Sequence, residues 1–403
     1  MKICLVGGAV RDILMGHNAY DLDYLVLGAG PEEFLRAYPD AVQVGKNFPV
    51  FILNHSEYAF PRRPISHCCS VNPSAQIQAE LMADLESRDL TINALAIPLP
   101  NYPRLPTSST AFTMATGHPR GIEDLRLGIL RPCSAHCFLE DPLRVFRAAR
   151  FAAQFPNFHV HEELRAAIAE VCAKDLIKDI QPERIGLEIR KVFRTDVPSR
   201  FFDLIISANC MSPWFQEFEE SACASASTPS VYGAAYALTA LREYLRNAPL
   251  DPKEEELLGW MAFVHAIGKT EKDSAQRTLC PDGIADNTHA AKLAHSLGSR
   301  LRLPSRFIKA GELWANCRGA LLSYSSLSPE QKVHLLRKTH TSQLTREVFT
   351  LVLALSGNDL RTQAELDLAR IQSVHLPPEE QNLGPESGQR LLARQIASLQ
   401  HDA

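Results

Sequence analysis

From Glu140 onward, apolar residues recur at three- and four-residue spacing. Leu143, Phe146 and Ala149 come first, then Leu164, Ile168 and Val171, then Ile185, Ile189 and Phe193. That period places them on one face of successive amphipathic helices. No strand-like alternation competes beyond this point, so residues 140–403 read as all-helical. Residues 1–135 follow another rule. Short apolar runs at Ile3–Val6, Leu22–Leu27, Pro49–Leu53 and Glu57–Phe60 are separated by glycines, prolines and short helical stretches. The combination predicts an α+β chain: a small mixed β-sheet with helices, then a helical remainder. Segment 63–79 is polar and aperiodic and reads as a loop. Segment 211–231 reads as a linker or long loop, and the stretch from about Pro377 as partly disordered.

The 403 residues exceed what one hydrophobic core normally serves, which predicts two to four domains. No apolar stretch approaches the ~20 residues needed to cross a bilayer. The opening MKICLVGGAVRD reaches a Gly-Gly and a charged pair too soon for a secretory signal. A cytoplasmic protein without a membrane partner is expected. Ten cysteines are scattered without zinc spacing or a small-domain disulfide pattern, so reduced thiols are expected. The net charge is −4, but residues 287–346 hold ten Lys/Arg against two Asp/Glu; that segment carries +8 and the rest −12. A basic region on an acidic protein suits a phosphate backbone, or is simply a solvated helix surface.

In LVGGAVRDILMG, Gly7-Gly8 follows a strand and precedes a helix. Backbone can approach an anion closely there, and Arg11 lies one turn in, within reach of a phosphate. The same arrangement also serves as a plain structural turn, and no G-K-[ST] follows to make it a Walker loop. In DLDYLVLG, strand periodicity would put Asp21 and Asp23 on one face. Two such carboxylates repel unless a cation lies between them, which suits Mg²⁺ bridging carboxylates and nucleotide phosphates; a solvated strand edge is the other reading. Further on, Asp141-Pro142 offers a cap and a proline at a helix start. Asp141 and Arg144 would then share a helix face, with Arg147 and Arg150 continuing the row. A fixed Asp and Arg can read a base edge; a surface ion-pair row is the alternative.

These segments resemble the nucleotidyltransferase superfamily shared by tRNA CCA-adding enzymes and bacterial poly(A) polymerases. LVGGAVRDILMG…YDLDYLV looks like its first motif, and Asp84-Leu85 with SRDLTINALAI like its second, with Arg88, Asp89 and Asn93. EDPLRVFRAARF supplies Glu140, Asp141, Arg144, Arg147 and Arg150, and GIEDLRLGILRP a weaker match with Asp124 and Arg131. The resemblance implies that Asp21 and Asp23 are catalytic and hold Mg²⁺. It implies that Gly8, Arg11, Arg88, Asp89, Asn93, Asp141, Arg144, Arg147 and Arg150 bind the nucleotide, with Asp141 and Arg144 choosing the base. The implied reaction adds C, C and A from CTP and ATP to the 3′ end of tRNA without an RNA template. Alternatives are a poly(A) polymerase, a CC- or A-restricted transferase, or a catalytically weak tRNA-binding protein. The implied layout is a catalytic head at 1–138, a helical neck at 139–210, a body at 211–320 and a tail at 321–403 that contacts tRNA.

The chain also departs from the pattern. Where many relatives carry a His-Asp phosphohydrolase pair, His265 is followed by Ala266; His289 remains without the anionic ligand that would anchor a divalent ion. Pro64 stands where an acidic residue is usual, and ATGHPRG lacks the Asp of a DP-x-x-G turn.

Overall fold

The computed structural model describes residues 1–44, 50–61, 73–100, 102–220, 230–268 and 287–400. The chain divides into two compact units, Met1–Ile177 and Lys178–Ala403.

The first unit is built on a seven-stranded sheet: β1 (Lys2–Val6), β2 (Asp23–Leu27), β3 (Val42–Val44), β4 (Val50–Leu53), β5 (Ser56–Ala59), β6 (Leu95–Pro98) and β7 (Thr116–Gly117). The order is β3-β4-β5-β2-β1-β6-β7. β2 and β5 run parallel, and the other neighbours antiparallel. β8 (Ile129–Leu130) and β9 (His159–Val160) form a separate parallel pair. Helices α1 (Gly8–Leu14), α2 (Pro31–Ala37), α3 (Pro73–Glu86), α4 (Ser108–Met114), α5 (Gly121–Leu127), α6 (Ala135–Glu140), α7 (Arg144–Gln154) and α8 (Glu162–Ala173) complete the unit.

β2 lies mid-sheet, and its Tyr24–Leu27 are all buried. Successive side chains point to opposite faces. Leu25 and Leu27, with Cys4 and Val6, pack on Leu81 and Leu85 of α3. Tyr24 turns the other way and stacks on Tyr58, beside Phe34 of α2 and Phe51. The same alternation puts Asp23 on the α3 face. Its register partners are Val6 on β1 and Glu57 on β5, so the carboxylates collect where β1 leaves the sheet.

The second unit is helical throughout its described residues: α9 (Pro182–Val192), α10 (Ser199–Ser207), α11 (Gln216–Glu220), α12 (Ser230–Asn247), α13 (Pro252–Phe263), α14 (Thr288–Arg300), α15 (Ser305–Leu322), α16 (Pro329–Thr341), α17 (Thr345–Ser356), α18 (Arg361–Ser373) and α19 (Pro385–Ser398), with short 3-10 turns. Leu257, Leu258 and Trp260–Phe263 bury α13 in its centre. Gly311 admits the Trp260 indole, since a Cβ there would lie 2.4 Å from Nε1. α16 opens with a Ser328–Gln331 capping box, which satisfies two otherwise orphan N–H groups.

Several expectations change. Residues 73–79 belong to α3, not to a loop: Ile77 packs on the sheet core beneath Leu81 and Leu85. The rest of that segment, Pro64 included, lies outside the described residues. The 211–231 stretch contains α11 and the start of α12; residues 221–229 are not described. Past Pro377, α19 is ordered, with Arg390 and Arg394 paired to Glu380. β9 is a strand within the stretch read as all-helical, held by pairing to β8. β3, β6 and β7 were not foreseen; they are short and gain their order from neighbours. α7 begins at Arg144, so Asp141 precedes the helix instead of lying on its face. A residue before proline is driven out of the helical region, and Asp141 is extended, at φ −138° and ψ 91°. Cys4, Cys137 and Cys317 are buried free thiols.

The basic stretch is partly spent internally. Arg300 pairs with Glu217, Arg302 with Glu183, Arg306 with Glu347, Lys332 with Asp367 and Arg346 with Glu254, while Arg318 donates to the Ile267 carbonyl. Lys292, Lys309, Arg337 and Lys338 are exposed. No described helix is long and apolar enough to cross a membrane.

Candidate active site

β1 ends at Val6, and Gly7 turns the chain into α1 with φ +73°, a conformation that disfavours side chains. Its N–H donates to the Leu95 carbonyl at 3.1 Å. A Cβ on Gly7 would come within 2.9 Å of Arg88 Nη1 and 3.9 Å of Asp23 Oδ2. Gly7 therefore leaves room for a guanidinium beside a carboxylate. Gly7→Ala should push Arg88 aside and strain the turn, lowering kcat/KM by about tenfold or more; steady-state kinetics measure it.

β2 begins at Asp23, so Asp21 sits in a bend before the strand. Its charge still reaches Asp23. Desolvation, then the Glu57 carboxylate, raise the Asp23 carboxyl above its ordinary range; Asp21 adds to this, while Arg88 and Arg147 oppose it. Glu57 was not singled out from sequence, because one Glu in a short strand looks ordinary. Its register opposite Asp23 is what brings it in. Among the described residues, no group of three His, Cys, Asp or Glu side chains is already gathered as a metal cluster.

Arg88 follows α3 and is held by Asp84 Oδ2, at 3.2 Å from Nε and 3.0 Å from Nη2. Next to it, Asp89 is buried. Its Oδ1 accepts from the Leu90 N–H at 2.8 Å and from Asn93 Nδ2 at 3.1 Å; its Oδ2 accepts from Arg147 at 2.8 and 2.7 Å. Burial alone would raise this carboxyl, but the Arg147 charge and the hydrogen bonds hold it down to about 2. Asn93 Oδ1 accepts from Arg11 Nη1 at 2.6 Å. Arg11, only 5% exposed, also pairs with Asp12, and its guanidinium faces the rings of Phe155 and Phe151 at 4.9 and 5.5 Å. A hydrogen-bonded line thus runs Arg11–Asn93–Asp89–Arg147, from α1 to α7. Gly8, the first residue of α1, lies against the Arg11 guanidinium.

The arginines of α7 do not form one row. Arg144 turns inward and donates to the carbonyls of Ser87 (2.7 Å), Cys137 (3.0 Å) and Arg88 (3.3 Å). Arg147 faces Asp89, and Arg150 donates to Gln154 at 3.0 Å while covering the Phe151 ring at 4.1 Å. Glu140 pairs with His136 at 3.3 Å, and the Asp141 carbonyl accepts the Arg144 N–H at 3.0 Å. Behind the site, Asp124 accepts from Thr91 at 2.8 Å and from Arg131 at 3.0 Å, which fixes the turn carrying Asn93. In the second unit, His265 is buried beside Trp314 and His289 is exposed.

Paired carboxylates flanked by arginines, on the central strands of a mixed sheet, can hold a divalent ion and a polyphosphate together. A model described as poly A polymerase head domain matches residues 3–131. A second, described as a probable RNA and SrmB-binding site of polymerase A, matches residues 157–221. Fold and site together define a nucleotidyltransferase of the poly(A) polymerase class. The chain is 30% identical over 397 residues to the multifunctional CCA protein of Verminephrobacter eiseniae (strain EF01-2), covering 93% of this chain and 91% of that one. It is 32% identical over 320 residues to that of Actinobacillus pleuropneumoniae serotype 5b (strain L20), covering 75% and 72%. This chain belongs to the multifunctional CCA protein family. Its fold matches that of a CCA-adding enzyme solved with CTP, with a TM-score of 0.64 at 20% identity over 100% of this chain and 88% of the other. A tRNA nucleotidyltransferase solved with a primer tRNA and an incoming ATP analogue gives 0.56 at 21% identity over 93% and 97%.

Proposed function

We propose that this protein adds C, C and A to the 3′ end of tRNA from CTP and ATP, without an RNA template. The observation that carries the reading is the meeting of Asp23, Glu57, Asp21, Arg88 and Arg147 at the mouth of the Gly7 turn. Family membership supports the tRNA substrate. The resemblance of the third motif assigns the choice of base to Asp141 and Arg144. Action on tRNA supports reading the protein as cytoplasmic.

The residues present fit a divalent ion. Carboxylate oxygens suit a hard cation, and burial, with the neighbouring Glu57 and Asp21 carboxylates, disfavours the Asp23 charge that such an ion would offset. Mg²⁺, bound by Asp21 and Asp23 with Glu57 beside them, would lower the pKa of the attacking hydroxyl and offset charge on the leaving group. The chain's own groups do the rest. Arg88 would hold the triphosphate against the Gly7-Gly8 turn, and Arg147, fixed by Asp89, would keep positive charge near the departing pyrophosphate. The 3′-hydroxyl gives its proton to water, its oxygen bonds to the α-phosphorus, and the bond from that phosphorus to the bridging β-phosphate oxygen breaks, releasing pyrophosphate. Arg11 and Asn93 act at one remove, by holding the Asp89–Arg147 pair. Arg144 steadies the Ser87–Arg88 carbonyls in the structure described; using it to read a base requires an exchange of those hydrogen bonds for the base edge. Arg150 supports α7 through Phe151. In this reading 1–138 is the catalytic head, 139–210 the neck, 211–320 a body without phosphohydrolase chemistry, and 321–403 a tail for tRNA.

The test is incorporation of labelled CTP and ATP, with Mg²⁺, on tRNAs lacking their last three, two or one nucleotides. Ordered C, C, A addition that then stops is expected. A long A-tail indicates a poly(A) polymerase, and tight tRNA binding without incorporation indicates a binding protein. Arg144→Ala is expected to relax the choice between CTP and ATP by about tenfold or more, with smaller loss of total incorporation; competition between the two nucleotides reads it.

A further inference from the structure

Among the described residues of the first unit, Tyr20 is the one aromatic side chain left in water, at 86% exposed. The unit's other tyrosines are packed ring on ring: Tyr24 on Tyr58, and Tyr38 and Tyr102 edge-on to that cluster. Tyr20 sits in the short connection from α1 to β2. Gly16 turns the chain at φ +77°, and the His17 N–H is tied to the Asp12 carbonyl at 2.8 Å. β2 takes over at Asp23. The ring is therefore carried on a connection held at both ends, one residue before Asp21.

Two substrates must meet at these carboxylates. Arg88 lies beside Asp23 at the Gly7 turn, where one added Cβ would meet both side chains, and that side suits the triphosphate. The RNA end then comes in past Asp21, where Tyr20 stands. Unpaired RNA bases stack on exposed aromatic rings, and such stacking tolerates any base. That tolerance fits an acceptor that ends first in the tRNA's own last base and then in C.

We propose that Tyr20 stacks on the terminal base of the RNA acceptor and so places the 3′-hydroxyl at the metal carboxylates. This rests on the tRNA-extending reading above. The experiment compares wild type, Tyr20→Ala and Tyr20→Phe on tRNAs lacking three, two or one nucleotides. Tyr20→Ala should raise KM for each tRNA about tenfold, with unchanged KM for CTP and ATP and unchanged unfolding temperature. Tyr20→Phe should stay within about twofold of wild type, because the ring and not the hydroxyl stacks. A tRNA carrying 2-aminopurine as its last base should lose fluorescence on binding wild type and Tyr20→Phe, but not Tyr20→Ala. Equal quenching by all three proteins, a wild-type tRNA KM in Tyr20→Ala, or a defect confined to nucleotide KM overturns the proposal. If wild type incorporates no nucleotide, the functional reading fails, and the quenching comparison still decides whether Tyr20 holds an RNA end.

Discussion

Asp23→Asn is expected to lower incorporation by on the order of a thousandfold or more, while leaving tRNA affinity within about twofold. The substitution keeps the shape of the side chain and removes one negative charge from the place where a divalent ion would bind. The same change should raise the unfolding temperature measured in EDTA. In the metal-free protein Asp23 is crowded by desolvation, by Glu57 and by Asp21, and that crowding outweighs the help from Arg88 and Arg147. A neutral amide escapes the repulsion. Activity lost while stability rises is a signature that a merely structural aspartate does not give. Calorimetry with and without Mg²⁺ separates the two: added metal should stabilise wild type, and Asp23→Asn much less.

The second large effect belongs to Asp89. Asp89→Asn removes the charge that holds Arg147 and weakens the hydrogen-bonded line through Asn93 to Arg11. A cost of roughly 2–4 kcal/mol is expected, moderated because Arg147 keeps partial access to water. Incorporation should fall together with stability, since Arg147 loses its fixed position. The pH dependence follows from the direction of the shift. The folded carboxyl is held down to about 2 from an ordinary value of 3.8. Its stabilising contribution is complete above about pH 4 and drains away as pH falls through about 2. The shift corresponds to on the order of 2 kcal/mol. Acid unfolding of wild type should therefore steepen in that window, and Asp89→Asn should flatten it. Urea titrations at several acidic pH values check this.

The local motifs were readable because they depend on spacing alone. Gly7-Gly8 where a strand gives way to a helix, and acidic residues where β2 begins, are short-range patterns. Helical periodicity from Glu140 onward reports burial on one face and needs no partner to be seen. What escaped depends on distant residues. Arg11 meets Asn93 across 82 positions, and Asp89 meets Arg147 across 58. Arg11 looks like a free phosphate ligand in sequence; folding encloses it between Asn93, Asp12 and two phenylalanine rings. Glu57 becomes relevant only through parallel pairing of β5 with β2. The even spacing of Arg144, Arg147 and Arg150 suggests one face, but carbonyls at Ser87, Arg88 and Cys137 draw Arg144 inward. The start of α3 hides in a polar segment because only Ile77 and the residues after it reach the core.

The proposed reaction depends on Asp21 and Asp23 holding the divalent ion that engages the nucleotide triphosphate. Its most direct test is anomalous diffraction from crystals grown with Mn²⁺ and a non-hydrolysable CTP analogue. A manganese peak is expected within coordination distance of both carboxylates and of the α-phosphate, with Arg88 against the triphosphate. A triphosphate bound elsewhere, or manganese that ignores Asp21 and Asp23, would contradict it.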